Sequence, residues 1–182
     1  NALSIDKGRQ ALTAEDNNLS ALYTKLKDLP PGRVYAGHAR GFVLDHWSDD
    51  YLVGDIKVYH LLHAQSLDMV GKVYHSYSLN SDVLINFDEQ RRDHYNLYNA
   101  RYVVAPEGQI FPEFVRLLQQ FGRHRLYQVD TTGYFDLVGS DLAFSGETPD
   151  LYLAASTWLG SRIPVAKKHP VVSFGDPSQG ES

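Results

Sequence analysis

The apolar positions of this chain change spacing several times, and each change predicts an element. Leu19, Leu22, Leu26 and Leu29 recur at helical spacing, with Tyr23 beside them and Lys25, Lys27 and Asp28 on other faces. Thr13-Ala14-Glu15-Asp16 supplies a hydroxyl cap and first-turn acids. The pattern therefore predicts a helix over residues 13–29, stopped by Pro30-Pro31-Gly32. A strand over 33–37 follows, then an irregular stretch over 41–54. Residues 55–67 suit a second helix with Asp55 as its cap, and 72–77 a strand ahead of the turn-rich 78–82. Asp88 stands where it would cap a third helix and Glu89 where it would meet that helix's dipole, with Asn99 and Ala100 at the far end. Tyr102-Val103-Val104-Ala105 is a continuous apolar run, which reads as a buried strand stopped by Pro106.

Further along, Phe111, Phe114, Val115, Leu118 and Phe121 fall on adjoining helical turns, predicting a helix over 111–121 with Gly122 as its C-cap. Strands over 125–129 and 134–138 would be joined by Asp130-Thr131-Thr132-Gly133 in a hairpin-like connection. A strand over 142–144, a helix over 150–159 and a strand over 171–174 complete the pattern. Helices alternating with strands give an α/β fold: a single layered domain with a mixed β-sheet flanked by helices. The expected divisions are a flexible lead over 1–12, a main α/β domain over 13–139, a strand–helix–strand extension of it over 140–175, and a disordered tail over 176–182. The opening Asn1-Ala2, without methionine, is what a tag remnant on an excised fragment looks like.

Charge and cysteine content remove whole classes of function. The net charge of −5 leaves no basic field to hold a nucleic-acid backbone, so no nucleic-acid partner is expected. The absence of cysteine excludes disulfides, thiolate metal sites and cysteine nucleophiles together. No apolar run approaches the roughly 18–20 residues of a membrane span, and no signal peptide is visible. If the chain is an excised fragment, a targeting or membrane segment belongs outside it.

Three groups of side chains have candidate chemistry. His60 and His63 lie three residues apart on one side of the expected second helix, and with His75 or Asp68 they would suit a metal such as zinc. The same face carries Ile56, Tyr59 and Leu67, so a packing surface with hydrogen-bonded histidines is the plainer account. Trp47 lies in an acidic loop with Asp45, Asp49 and Asp50, a combination that serves a sugar through an aromatic platform and carboxylate acceptors. Its plainer role is to anchor that loop to the core. Asp82 and Asp88, with Glu89 and Asp93, form the best carboxylate group, and Arg101 at the helix–strand junction suits an anionic ligand or an ion pair with one of these acids. Ser66 and Ser76 have nearby histidines but no nucleophile-elbow pattern, and no phosphate-loop pattern occurs.

Arg33-Val34-Tyr35 after the Pro-Pro-Gly turn, Asn99-Ala100-Arg101-Tyr102-Val103-Val104, and Leu126-Tyr127-Gln128-Val129 ahead of Gly133-Tyr134-Phe135 occur in that order. The ordered set, within residues 29–138, resembles the soluble extracytoplasmic region of large multi-spanning bacterial membrane proteins related to C-type glycosyltransferases. Those enzymes use polyprenyl-phosphate sugar donors. The resemblance implies a place on the extracytoplasmic side of the bacterial cell membrane as part of a polytopic protein. It implies the membrane-embedded part of that parent as partner, and a glycan as a further one. In that group the catalytic acid lies near the first membrane spans. Nothing in this chain matches it, so no catalytic residue carries over.

The function expected is that of a non-catalytic accessory or glycan/partner-recognition domain of a membrane glycosyltransferase-like protein, whose parent would carry the transferase activity. No cofactor is expected, a metal at the histidine pair being the one candidate. Two rivals are a stand-alone carbohydrate-active or metal-dependent hydrolase and an extracellular small-ligand-binding module.

Overall fold

The computed structural model describes residues 2–37, 46–70 and 86–174. Its organising element is the apolar run expected to be a buried strand, which forms β4 (Ala100–Pro106). β1 (Arg33–Tyr35) pairs with it in parallel on one side, and β6 (His124–Gln128) pairs antiparallel on the other. β5 (Arg116–Phe121) then lies antiparallel to β6, giving the order β1-β4-β6-β5. The sheet is mixed, and helices flank it, as the α/β reading requires.

Period-two alternation divides the core. Val34, Tyr102, Val104 and Leu126 face one side, where they meet Leu19, Leu22 and Leu26 of α1 (Ala2–Asp28) and Val58, Tyr59 and Leu62 of α2 (Val58–His63). Tyr35, Val103, Ala105 and Val129 face the other, against Phe87, Val115 and Tyr95 of α3 (Arg92–Leu97). A strand covered on both faces must be apolar at successive positions, which is why β4 reads as an unbroken run rather than an alternation. Tyr102 keeps its polar tip satisfied by donating to the Pro30 carbonyl at 2.7 Å.

Four local expectations are corrected. The first helix begins at Ala2, well before Thr13, and Ala11 and Leu12 pack partly buried against the core, so residues 2–12 are helix rather than a flexible lead. Residues 55–67 are not one helix: Gly54 and Asp55 turn a small hairpin between β2 (Leu52–Val53) and β3 (Ile56–Lys57), and α2 starts only at Val58. Asp55 is thus a turn residue, not a cap. Residues 111–121 are not helical. Phe111, Phe114 and Val115 pack on the second core cluster, and the chain then runs as edge strand β5. Gly122, at φ 57°, occupies the first position of a two-residue turn to β6 instead of capping a helix, and a Cβ there would fall 2.4 Å from the Asn18 side chain. Finally, 134–138 joins no strand ladder among the described residues. The strand expected over 72–77 and the tail over 176–182 lie outside the described residues.

The C-terminal unit follows the expected order. β7 (Gly139–Gly146) and β8 (Lys168–Phe174) are parallel, connected through α4 (Thr148–Gly160). Glu147 and Asp150 form a capping box at its start. Its far end is clasped to the sheet body. Arg91 donates to the Leu159 carbonyl at 2.8 Å and the Ser161 carbonyl at 2.6 Å, while pairing with Asp93 at 2.5 Å. His94 accepts at Nδ1 from the Asp88 backbone N–H at 2.9 Å, so its Nε2–H donates to the Leu159 carbonyl at 3.1 Å. Leu159 itself is fully buried.

Two measurements test this account. Leu126→Ala should lower unfolding free energy in urea by about 2–5 kcal/mol, whereas Leu137→Ala, at a side chain 92% exposed, should change it by less than about 0.5 kcal/mol. For the clasp, burial holds the His94 pKa below its ordinary 6.5, against the raising influence of the Leu159 carbonyl, Asp93 and Asp88 and with the lowering influence of Arg91. A folded value below the unfolded one means the unfolded chain binds the proton more readily. The neutral ring's contribution is therefore complete above 6.5 and declines as pH falls through that value towards the lowered one. In thermal melts between about pH 7.5 and about pH 5, His94→Gln should flatten the loss of Tm; His124, also held low by burial, keeps a residual slope in both proteins. Equal slopes would remove His94 from the account.

Candidate functional site

Among the described residues a dense polar cluster gathers around Glu89, expected as a first-turn charge of a helix. Tyr35 lies on the β1 face opposite α1, so its ring enters the second core cluster and its hydroxyl reaches the end of that cluster. There it donates to Glu89 Oε1 at 2.7 Å. The same oxygen accepts from the Trp47 indole N–H at 2.8 Å and lies 3.0 Å from His46 Nε2. Burial pushes the Glu89 pKa up, but the hydrogen bonds from His46, Tyr35 and Trp47 outweigh it, and the group sits below its ordinary value. Burial beside this carboxylate drives the Tyr35 hydroxyl far upward, so Tyr35 stays a donor.

The tautomer of His46 follows from its other nitrogen. Nδ1 accepts the Ser48 backbone N–H at 3.2 Å and lies 2.8 Å from Ser48 Oγ, which leaves Nε2–H to donate to Glu89. Serine, histidine and carboxylate thus stand in the order of a nucleophilic relay. Ser48 is nonetheless buried, and Gly37 closes over it so tightly that a Cβ at Gly37 would fall 2.1 Å from the Ser48 Cβ. An attacking hydroxyl needs room for a substrate carbon, and this one has none. A second chain, Tyr51–His124–Glu15, has the same property: Tyr51 and His124 meet at 2.6 Å with both residues buried. Both networks tie elements together. Neither presents a reacting atom.

Trp47 is half-buried and anchored on several sides. Its ring meets Tyr35 and Phe111 edge-on at 6.3 and 6.1 Å and Tyr51 at 6.1 Å, so it bridges the two core clusters while its N–H is held by Glu89. The acids beside it turn elsewhere. Asp49 pairs with Lys57 at 2.5 Å. Asp49, Asp50 and Asp55 share an open groove with Lys57, His60 and His63, so the structure brings two of the expected sugar-binding acids together with the expected histidine pair. Burial lowers the His60 pKa, helped by Lys57 and His63. Among the described residues no three side chains form a metal-ligand set.

Asp88 and Arg101 play local roles. Asp88 Oδ1 accepts from the Gln90 backbone N–H at 2.9 Å, closing a turn ahead of α3, whose N-cap is Arg91. Arg101 does not pair with Asp88 or Asp93. It reaches back over Gly32 and donates to the Pro31 carbonyl at 3.3 Å. Asp45, Asp82 and His75 lie outside the described residues.

Sequence reasoning missed Glu89, His46, Ser48 and Tyr35 as one cluster, because their contacts join residues up to 54 positions apart. The usable signal was the parity of β1: if Val34 faces α1, Tyr35 must place its hydroxyl on the side of the 87–95 segment.

No protein-family model, no curated protein and no solved structure matches this chain. Among the described residues no helix is long and apolar enough to cross a membrane.

Replacing Glu89 with alanine removes the acceptor shared by three donors and should cost at least about 2 kcal/mol in urea unfolding, with a shift in tryptophan emission as Trp47 loses its partner. The sign with pH is fixed by the lowered pKa. Glu89 contributes stability above its ordinary 4.5, and that contribution is lost as pH falls through the lower folded value. Glu89→Ala should therefore lose less stability on acidification than the parent chain.

Proposed function

We propose that this chain is a non-catalytic partner-recognition domain of a membrane glycosyltransferase-like protein, packing on the membrane-embedded part of that parent at its extracytoplasmic side. The observation that carries the reading is the exposed apolar surface of the C-terminal third. Phe135 is 93% exposed and Leu137 92%, and Leu153 and Val171 are also open to solvent. Tyr134, Asp136 and Val138 line a groove while the intervening Phe135 and Leu137 stand clear of it, so this segment leaves one side uncovered. Neither large side chain contributes to the core, so both are free to be buried by something else.

The β7–β8 pair adds to this. Parallel strands occur almost only where both faces are covered, yet Val171 and Val172 lie on an exposed parallel pair. An apolar protein surface is the natural cover. The ordered motifs that resemble C-type glycosyltransferase relatives support the membrane-embedded part of the same protein as that cover. Recognition rather than catalysis is favoured by the buried Ser48 and by carboxylates already committed to internal cations or donors.

The test is a photoreactive amino acid at position 137 of the intact membrane-bound protein. Crosslinks into its membrane-embedded part are the expected result, and they should fall away when Phe135 is replaced by serine. Crosslinks confined to solvent-quenched product would overturn the reading. In the isolated chain, Phe135→Ser with Leu137→Ser should leave stability within about 0.5 kcal/mol, since neither side chain is buried.

A further inference from the structure

Between the sheet body and the β7–α4–β8 unit runs an open groove of about 760 Å³, within the size range of small-ligand sites. One wall comes from α3 and the segment 130–138, the other from the residues around Lys167 and His169. The walls are braced. Asn96 Oδ1 accepts from the Thr132 backbone N–H at 2.7 Å and from its hydroxyl at 3.0 Å. The Asn96 amide donates to Asp136 at 3.3 Å, and Lys167 reaches the same carboxylate at 3.0 Å from the opposite unit. The Arg91 and His94 clasp joins the same two units through Leu159.

The charges of the groove do not cancel evenly. Each carboxylate lining it already has a cation: Asp93 has Arg91 at 2.5 Å, Asp130 has Arg116 at 2.7 Å, and Asp136 has Lys167. The exposed side chain of Arg92 lines the same groove and forms no ion pair or hydrogen bond with the described residues. A guanidinium with no partner, beside acids that are all engaged, is a seat for a ligand oxyanion. Two rings flank it. Tyr134 is fixed by donating its hydroxyl to Asp68 at 2.8 Å, and His169 stacks edge-on against Trp158 at 4.9 Å. Fixed rings beside hydroxyl, amide and carboxylate groups are what a hydroxylated ring meets in a binding site, with C–H faces on the aromatics and hydroxyls on the acceptors.

We propose that this groove binds a small acidic sugar, with the sugar's carboxylate on the Arg92 guanidinium and its ring against Tyr134. The site is separate from the apolar surface of Phe135 and Leu137, which stand on the other side of the same segment. It therefore stands or falls independently of the docking reading.

The experiment is a heteronuclear NMR titration of the chain with glucuronate, with glucose and inorganic phosphate as parallel arms. Glucuronate should shift amide signals of residues 92–97 and 130–136 and saturate at millimolar concentration. Arg92→Gln should weaken it by about tenfold, the loss of one charge-assisted contact, and glucose should bind weaker than glucuronate by a similar factor. Tyr134→Ala should weaken both sugars. Phosphate that competes with glucuronate while binding less tightly supports the oxyanion seat and the ring contact together. Phosphate binding as tightly as glucuronate would overturn the sugar, and no shift in these residues, or an unchanged affinity in Arg92→Gln, would overturn the site. Arg92 is exposed and holds nothing else in place, so its replacement leaves the fold intact for the measurement.

Discussion

Covering β4 on both faces is the constraint from which the rest of the architecture follows. Its backbone groups must find partners on both edges, which β1 and β6 supply, and its successive side chains must enter two different apolar clusters. Tyr102 and Val104 commit one face to the long helix α1; Val103 and Ala105 commit the other to α3 and the aromatic rings of Phe87, Tyr95 and Phe114. Once β1 pairs in parallel with β4, the parity of Val34 and Tyr35 is decided, because a shift of one residue would put each on the wrong face. The position of the Tyr35 hydroxyl, and with it the Glu89 cluster, descends from that pairing.

The buried polar groups serve to join elements that apolar packing alone would leave loosely registered. Glu89 connects the β1 face to the short helical turn at Trp47–Asp49 by way of three donors on one oxygen. His124 and Tyr51 join the β5–β6 turn to the segment ahead of β2, with Glu15 of α1 completing the chain of contacts. Arg91 and His94 fasten the end of α4 to α3. Burial holds the pKa values of His94 and His124 low, whereas at Glu89 the hydrogen bonds from His46, Tyr35 and Trp47 outweigh burial. Such groups resemble catalytic constellations in composition and differ from them in access, which is why geometry and burial must be read together.

The two parts of the molecule treat apolar surface differently. The sheet body encloses most of its large apolar side chains in two clusters, leaving Ile110, Leu117 and Leu118 exposed. The β7–α4–β8 unit encloses Leu159 and leaves Leu153, Val165, Val171 and Val172 outside. A small parallel pair with one helix has too little depth to bury all its apolar residues, so its remaining faces suit contact with another surface. The groove between the two parts combines that position with a braced polar wall, and the docking surface and the ligand groove share the 134–138 segment on opposite sides.

Much of this was legible from local pattern. The Leu19–Leu22–Leu26 spacing and the run at Tyr102–Ala105 each express burial within one element, and the strand–helix–strand order after Gly139 formed as its local pattern required. Local pattern failed where the deciding partner was distant. The helical spacing of Phe111 to Phe121 was accidental, because Gly122 was needed for a turn that lets β5 pair with β6. Asp55 had the chemistry of a helix cap, yet the pairing of Val53 with Ile56 made it a hairpin residue. Asp88 and Glu89 both looked like first-turn acids, and tertiary contacts separated them, leaving one to close a turn and drawing the other inside. Local spacing marks most of the residues that leave water and the period at which they recur. Which strand each edge pairs with, and therefore which polar side chains meet, is set by contacts between segments far apart in sequence, and no local spacing encodes them.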